Sequence, residues 1–417
     1  MSDLHRPPTV NPDRIRQRLQ AFARIGYQPD GSVTRLAFTR ADLQARELLI
    51  HNLSSLGLDV RIDPFGNVFG EWPGVDPTVA PVLTGSHLDT VPSGGRFDGS
   101  LGVVAALEAV SVLDDAGIEL PRSVQIVSFS CEESSRFGVG TLGSALIAGG
   151  MSPTEALNLE DSDGVSIAEA LTAAGFDPDT LDSTRRQTGD FRAFVELHIE
   201  QGRVLEEAEQ SVGIVASIAA PTRFRVEVSG RPDHSGATPM HLRNDALTGA
   251  AEMILLIERA ARESDSSVGT VGTLRVIPNA MNVVPGRVVF DVDLRGGDKE
   301  DKQQVVDRVD AGVDEIATRR GLAVTRQVLT HQDPVAMSPE IVEMLVQHSA
   351  ARGTGHRRML SGAGHDAMQM ARICPAGMVL VPSSQGISHA REEWTDPELA
   401  VPGIQALVDT VIELAAS

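Results

Sequence analysis

Apolar runs alternate with amphipathic stretches along the first half of the chain. Continuous apolar runs at 123–130 and 191–198 are typical of strands covered on both faces, whereas 41–57 and 101–115 repeat apolar residues at helical spacing. Further strands are predicted at 60–62, 68–72 and 81–84, and a short helix at 201–208. Because strands alternate with helices, we predict an α/β fold, with a mostly parallel sheet and helices on both of its faces.

The pattern changes between about residues 216 and 330. The elements predicted there are strand 222–230, helix 243–262, strands 268–276 and 287–294, helix 301–319 and strand 322–329. This β-α-β-β-α-β order is that of a ferredoxin-like α+β domain. The α/β pattern then resumes with helices at 338–351 and 364–372, a strand at 378–382 and a helix at 397–415. We therefore predict a larger discontinuous domain, 1–215 and 331–417, with a smaller domain, 216–330, inserted in it.

The charge balance restricts the possible partners. The chain has 36 basic and 57 acidic side chains and a net charge of -21, without a basic run, which argues against binding to nucleic acid or to an anionic membrane. No apolar run is expected to reach the length needed to cross a bilayer, and the N-terminus has no apolar stretch of the signal-peptide type. Two cysteines, Cys131 and Cys374, are too few for a disulfide framework, so we expect a cytoplasmic protein.

The chemistry begins at a turn rich in glycine and proline. His87, Asp89 and Asp98 lie in or beside this turn, directly after the predicted strand at 81–84. Imidazole and carboxylate groups at the end of a buried strand are suitable ligands for a divalent metal, and glycines allow the chain to aim them at one point. On a strand end His87 and Asp89 share a face, so we expect the Asp89 carboxylate to accept the second imidazole N–H of His87.

Four more residues of ligand type occur downstream. They are Glu132, Glu133, His198 and His389, and the first three follow or end predicted strands. Each alone is more often an ordinary core, turn or surface residue than a ligand. Parallel strands bring their carboxyl ends to one edge of a sheet, however, so the joint pattern predicts a two-metal hydrolase. Asp98 is the natural bridging ligand, because one carboxylate can span two cations.

These residues lie in motifs that resemble those of one family. The motifs are 85–92, 95–99, 132–138, 196–202, 234–240, 361–366 and 388–389. Together they resemble the hydantoinase/carbamoylase branch of the dinuclear-metal aminoacylase and carboxypeptidase superfamily, over nearly the whole chain. The His198-x-Glu-Gln-Gly form favours this branch, since aminoacylase-type relatives usually have a carboxylate in place of this histidine. The resemblance implies that the larger domain is catalytic and that the smaller one is a lid and dimerisation domain.

The resemblance also implies roles for individual residues. His87, Asp98 and His198 would hold one divalent ion, and Asp98, Glu133 and His389 the other; zinc is the first choice, with manganese, cobalt or nickel as alternatives. The expected catalytic residues are Glu132 as general base, Asp89 as the carboxylate that orients His87, and His234 as an oxyanion donor that reaches the partner subunit of a homodimer. The expected substrate-binding residues are Gln201, Arg223, His234, Asn282, Arg295, Gly364 and His365.

The expected reaction is hydrolysis of an N-carbamoyl-L-amino acid or a related ureide, with release of the amino acid, CO2 and ammonia. Allantoate or ureidoglycolate hydrolysis, and dipeptidase or aminoacylase activity, remain open as alternatives. A non-catalytic scaffold or binding protein with the same fold is a further alternative. A complete ligand set together with Glu132 argues against that last reading, because a decayed site usually loses one of them.

Overall fold

The computed structural model of the protein describes residues 8–417; residues 1–7, which include most of the N-terminus examined for a signal sequence, lie outside the described part. The α-helices are α1 Pro12–Ala23, α2 Arg40–Ser55, α3 Ser100–Ala116, α4 Leu142–Ala148, α5 Pro153–Leu157, α6 Ile167–Ala173, α7 Val204–Glu207, α8 Ala246–Arg262, α9 Lys299–Arg320, α10 Pro339–Ala351, α11 Asp366–Met370 and α12 Pro397–Ala416. The strands are β1 Asp59–Ile62, β2 Val68–Trp72, β3 Val82–His87, β4 Val124–Phe129, β5 Ala193–Ile199, β6 Val212–Ile218, β7 Ala220–Ser229, β8 Asp233–His234, β9 Ser267–Ile277, β10 Val283–Val284, β11 Arg287–Gly296, β12 Ala323–His331, β13 Val335–Ala336, β14 His356–Ser361 and β15 Ala376–Val381.

The chain divides into two compact units. The first comprises Met1–Ala216, Met337–Met359 and Gly364–Ser417, and the second comprises Ser217–Ala336 and Leu360–Ala363. The first unit is built on a mixed sheet in the order β1-β2-β4-β3-β5-β15-β6, with β14 paired to β6. The two residues of β13 pair with Ser217 and Ile218, which belong to the second unit. The four central strands of the mixed sheet, β4, β3, β5 and β15, are parallel. The ladders toward both edges are antiparallel.

The parallel strands are buried on both faces. Every residue of β3, β5 and β15 is buried, as parallel strands require when helices cover the sheet. Helix α3, which is apolar almost all round, packs on β3, β4 and β5, and α12 packs on β5 and β15. The α/β class predicted from the sequence is thus confirmed, with antiparallel strands added at the edges of the parallel centre.

The second unit is built on a four-stranded antiparallel sheet in the order β12-β7-β11-β9. Residues along β7 and β11 alternate between buried and exposed positions, and the buried ones pack with α8 and α9 into one core. The short strands β8 and β10 form a separate antiparallel pair. The longer elements therefore follow the order β-α-β-β-α-β along the chain.

The sequence patterns missed several short elements. Helices α5 and α6 have five and seven residues and begin at the capping boxes of Ser152 and Ser166, so they are too short to show a periodic apolar pattern. The helix predicted at 201–208 is confined to α7, because Gln201 has a left-handed φ of 58° that a helix excludes. The helix predicted at 364–372 is confined to α11, which begins after His365 in extended conformation.

One expectation about apolar runs is wrong. Among residues 8–417, α12 is long and apolar enough to cross a membrane by length and composition. It carries so few charges because it packs on α3, α10 and two central strands, and 56% of its most apolar window is buried inside the protein. A core helix meets the same test of length and composition as a membrane span.

Candidate metal centre

The predicted ligands meet at the carboxyl edge of the parallel strands. His87 is the last residue of β3, and His198 is the next to last residue of β5. Glu132 and Glu133 follow β4 after a sharp turn in which Cys131 has a left-handed φ of 57°. Because β3, β4 and β5 are parallel, their ends lie side by side at the edge where α3 begins.

One group of candidate ligands comprises His87, Asp98 and His198. A ligand atom from each of the three lies within 4.8 Å of the others. Asp98 Oδ1 is 3.0 Å from Nε2 of His198 and 3.8 Å from Nε2 of His87. All three residues are buried, so these side chains converge on one point within the protein.

A second group comprises Asp98, Glu133 and His389. Nε2 of His389 lies 3.1 Å from Asp98 Oδ2 and 3.4 Å from Glu133 Oε1. Asp98 is therefore shared, with one carboxylate oxygen facing each group. His389 differs from the other candidate ligands in its exposure, since half of its side chain is accessible to solvent.

The imidazoles of the first group are oriented like those of metal ligands. Nδ1 of His87 donates to the backbone carbonyl of Asp89 at 2.9 Å, and Nδ1 of His198 donates to that of Ile199 at 3.0 Å. Each ring then turns its Nε2 toward Asp98. Burial lowers the pKa of His198, but the Asp98 carboxylate 3.0 Å away outweighs it and raises this pKa to about 9, so the buried Nε2 needs either a proton or a cation. A ring nitrogen held in this way fits a cation.

The carboxylates of the site also require positive charge. Among the described residues, Asp98, Glu132 and Glu133 form ion pairs with histidines only. Burial, followed by the charge of Asp98, raises the pKa of Glu133 to about 8. Burial, followed by the charge of Asp366, raises the pKa of Glu132 well above its usual value. Buried acids in such proximity ionise together only when cations compensate them, so the donor set fits two divalent ions.

Asp89 does not contact His87 as expected. Its carboxylate lies 3.7 Å from Nδ1 of His87, and the backbone carbonyl of Asp89 takes that hydrogen bond instead. The carboxylate accepts the backbone N–H groups of Glu132 and Glu133, at 3.2 and 3.0 Å. It turns away from the imidazole because the left-handed Cys131 leaves these two N–H groups without strand partners. Asp89 thus ties the end of β3 to the turn that carries both glutamates.

Gly99 is required where the chain passes the first group. It has a φ of 61° and precedes α3, and a Cβ placed on it would lie 2.4–2.5 Å from three atoms of the His87 ring. Only glycine accepts this backbone conformation so close to a candidate ligand. The glycine is therefore part of the geometry that brings Asp98 to His87.

Three predicted substrate-binding residues lie in the first unit. The side-chain amide of Gln201 donates to Asp98 Oδ2 at 3.0 Å and to the hydroxyl of Ser388 at 3.2 Å. His365 is buried, with its ring centroid 4.5 Å from that of His198. Gly364 is exposed beside it. Gln201 therefore contacts a candidate ligand directly.

Two predicted arginines share one carboxylate in the second unit. Arg295 donates to Asp293 through Nε at 3.3 Å and Nη2 at 3.1 Å, and its Nη1 donates to the carbonyl of Gly362 at 3.0 Å. Nε of Arg223 lies 3.3 Å from the same carboxylate. Two guanidinium groups against one carboxylate leave one positive charge in excess, and both arginines are partly exposed.

His234 and Asn282 are neighbours in the second unit. His234 pairs with Val283 between β8 and β10, and the carbonyl of Asn282 accepts the N–H of Ser235 at 3.1 Å. Nδ1 of His234 accepts two backbone N–H groups, from Gly236 and Ala237, each at 3.1 Å. The neutral ring therefore carries its proton on Nε2, and the side chain is exposed. Such a ring can donate a hydrogen bond to a ligand.

The sequence reasoning missed two buried glutamates that support the site. Glu196, two residues before His198, accepts from the hydroxyl of Ser86 at 2.8 Å and from the N–H of Ala367 at 3.0 Å. Glu393, four residues after His389, accepts from the N–H of Asp98 at 3.1 Å. The signal for both was their short spacing from a candidate histidine ligand: Glu196 lies in the 196–202 motif, and Glu393 follows the 388–389 motif by four residues.

Comparison with known proteins gives a consistent result. Residues 83–413 match the model of the Peptidase family M20/M25/M40. An N-carbamoyl-L-amino acid amidohydrolase of Geobacillus stearothermophilus is 42% identical over 407 residues, 97% of this chain and 99% of that protein. A ureidoglycolate hydrolase of Arabidopsis thaliana is 37% identical over 415 residues, 98% of this chain and 87% of that protein. An amidase of the hydantoinase/carbamoylase family from Burkholderia multivorans has a crystal structure similar to this chain, with a TM-score of 0.93 and 35% identity over 99% of this chain and 100% of that one.

Proposed function

The chain belongs to the peptidase family M20/M25/M40, and we propose that it is a two-metal N-carbamoyl-L-amino acid amidohydrolase. It is a hydrolase of carbon–nitrogen bonds other than peptide bonds, in ureides. The proposed products are the free amino acid, CO2 and ammonia. The observation that carries the proposal is the position of Asp98, with one oxygen facing each ligand group while Glu132 lies at the same edge of the sheet.

We infer that the two ligand groups hold two divalent ions. His87, Asp98 and His198 would hold one, and Asp98, Glu133 and His389 the other. Imidazole and carboxylate donors suit zinc, and manganese, cobalt or nickel accept the same donors. Such a pair, when bound, lowers the pKa of water and polarises a carbonyl group.

In this proposal Glu132 is the general base. Its Oε2 lies 3.6 Å from Nε2 of His87, so it borders the first metal position. It would accept a proton from the attacking water and return it to the leaving nitrogen. Asp89 supports this role, because it fixes the backbone N–H of Glu132 and so the direction of its side chain.

The smaller domain supplies substrate contacts in this proposal. We assign residues 1–215 and 331–417 to the catalytic domain and 216–330 to a lid and dimerisation domain. The protonated Nε2 of His234 would stabilise the oxyanion of the partner subunit in a homodimer. The excess positive charge of Arg223 and Arg295 would bind the substrate carboxylate. The other residues proposed to contact substrate are Asn282, Gln201, Gly364 and His365.

We also propose a cytoplasmic location. Support comes from the two cysteines among the described residues, Cys131 and Cys374, which are both buried and free. Burial raises the pKa of Cys374 to about 12, so its thiol stays protonated at neutral pH. Unpaired thiols are usual in a reducing compartment.

A substrate panel tests the proposed function. Metal-free enzyme is reconstituted with Zn²⁺, Mn²⁺, Co²⁺ or Ni²⁺ and assayed for ammonia and amino-group release from N-carbamoyl-L-amino acids, ureidoglycolate, allantoate, N-acyl amino acids and dipeptides. We expect N-carbamoyl-L-amino acids to be hydrolysed with the highest kcat/KM. Ureidoglycolate is the main alternative substrate, because the ureidoglycolate hydrolase of Arabidopsis thaliana is similar to this chain over nearly its whole length.

The matched control is Glu132→Gln, which keeps the side-chain shape but cannot accept the proton. This variant should bind metal like the wild type and lose turnover on every substrate of the panel. Wild-type rates in the metal-loaded variant would exclude Glu132 as the base. A preference for ureidoglycolate or allantoate would move the assignment to that ureide, and a preference for dipeptides would overturn it.

A further inference from the structure

Glu393 is a buried carboxylate held between two ligand-bearing segments. Only 2% of the residue is exposed, and no basic side chain among the described residues lies within ion-pair distance of it. Its Oε1 accepts the backbone N–H groups of Phe97 and Asp98, at 3.0 and 3.1 Å, and its Oε2 accepts the hydroxyl of Ser388 at 2.9 Å. One carboxylate therefore joins the residue that bridges both ligand groups to the residue directly before His389.

These contacts close a ring around the second ligand group. The hydroxyl of Ser388 that donates to Glu393 also accepts the side-chain amide of Gln201, at 3.2 Å. The same amide donates to Asp98 Oδ2 at 3.0 Å, the oxygen that faces His389. The backbone and the carboxylate of Asp98 are thus both fixed relative to Ser388, and Glu393 is the member that joins the two sides.

The chain makes space for this carboxylate. A Cβ placed on Gly95 would lie 2.0 Å from Oε1 of Glu393, so the turn needs a glycine at this position. Burying a carboxylate without an ion-pair partner costs folding free energy, which hydrogen bonds only partly offset. All three groups that donate to it lie at or beside a candidate ligand, so its position serves the geometry of the site.

His389 needs such support more than the other histidines do. It follows the last central strand by eight residues, lies in a loop with a left-handed φ of 54°, and has a half-exposed side chain. His87 and His198, in contrast, belong to buried strands of the sheet. The second ligand group is therefore positioned by contacts within loops rather than by the hydrogen bonds of the β-sheet.

We propose that Glu393 is a positioning residue that sets Asp98 and His389 relative to each other and thereby determines the metal affinity of the second ligand group. The inference rests on the two-metal centre of the proposed function. Partners that orient metal ligands typically contribute about 10- to 100-fold in metal affinity. Loss of the Glu393 carboxylate should therefore weaken binding of the ion held by Asp98, Glu133 and His389. The ion held by His87, Asp98 and His198 should remain bound.

The test is a titration of metal-free protein with Zn²⁺ in competition with a chromogenic chelator, which resolves the two affinities. His389→Ala and His198→Ala identify which affinity belongs to which position. We expect Glu393→Gln to lower the affinity of the His389 position about 10- to 100-fold and to leave the other within about twofold. Ser388→Ala removes the hydroxyl that links Glu393 to Gln201, at a residue that is partly exposed. It should lower the same affinity by a smaller factor.

Glu108→Gln is the matched control, because Glu108 is equally buried but lies in an ion pair with Arg14 on α1. It should lower the melting temperature without changing either affinity. If the wild type binds two ions and both Glu393→Gln and Ser388→Ala keep the affinity of the His389 position, the role of Glu393 is refuted while the metal centre stands. If the wild type binds fewer than two ions, the metal centre is refuted, and the inference with it.

Discussion

Replacing Gly99 by alanine should remove a metal ligand without touching any ligand residue. The new Cβ would lie 2.4 Å from Cε1 of His87 and 2.5 Å from both ring nitrogens. The ring would have to move by about 1 Å to restore ordinary van der Waals contact. It has no free space for this, since His87 is 1% exposed and its Nδ1 is fixed by the carbonyl of Asp89.

A displacement of this size exceeds what a metal–imidazole bond tolerates. Zinc–nitrogen bonds are about 2.0–2.1 Å long, and ligand distances in real sites vary by only about 0.2 Å. Gly99→Ala should therefore lose the ion bound by His87, Asp98 and His198, and kcat with it. A φ of 61° with a ψ of -48° lies outside the left-handed helical region, so alanine at this position should also lower the free energy of unfolding by about 1–3 kcal/mol.

Gly117→Ala separates these two effects. Gly117 ends the same helix in the left-handed helical region, with a φ of 59° and a ψ of 38°, so alanine there carries a smaller backbone cost, and a Cβ placed on it meets nothing within 4 Å. Both variants should unfold at lower urea concentration than the wild type. Only Gly99→Ala should bind less metal, as measured by elemental analysis after dialysis and by Zn²⁺ titration. Two bound ions and a wild-type kcat in Gly99→Ala would refute the packing argument for His87.

Three further predictions concern substrate binding, pH and assembly. Arg295→Lys should lower kcat/KM more for an acid substrate than for its neutral amide, since lysine cannot form a bidentate pair; equal losses would contradict the role. Burial raises the pKa of Asp63 to about 6, so the folded state holds this proton more tightly than the unfolded chain, and roughly 3 kcal/mol of stability should be lost as the pH rises from about 4 to 6. Asp63→Asn should flatten that slope in urea unfolding, and an unchanged slope would contradict it. Mixed subunits of His234→Ala and Glu132→Gln should recover about a quarter of wild-type activity if random exchange gives half heterodimers with one intact site each; heterodimers as inactive as their parents would exclude the cross-subunit role.

The sequence predicted the long elements because their apolar residues report burial directly. Strands β4 and β5 and helices α2 and α3 appear within a few residues of the predicted bounds. Antiparallel β6 was missed because its apolar run continues almost directly into β7, and pattern alone does not separate two adjoining strands. Helix α12 shows a second limit of the pattern. An apolar stretch indicates that a helix is buried, but not whether protein or lipid surrounds it.

The candidate ligands could be predicted because strand ends and parallel pairing together place them. His87 and His198 lie at the ends of β3 and β5, which are neighbours in the sheet. Glu132 and Glu133 follow β4, the neighbour of β3 on its other side. Their approach to one another follows from topology, without knowledge of any side-chain rotamer. That they bind metal remains a prediction for the titrations described above.

The sequence could not predict which hydrogen-bond donor pairs with which acceptor. Asp89 was expected at the imidazole of His87 on the grounds of spacing, yet its carboxylate binds two backbone N–H groups exposed by the left-handed Cys131. Glu393 joins segments almost 300 residues apart, and no local pattern encodes its contact with Asp98. The strand ends thus place His87, His198 and Glu133, whereas the geometry of the site also depends on backbone N–H groups in turns. Substitutions of those turn residues, such as Gly95 and Gly99, therefore test the site as directly as substitutions of the ligands.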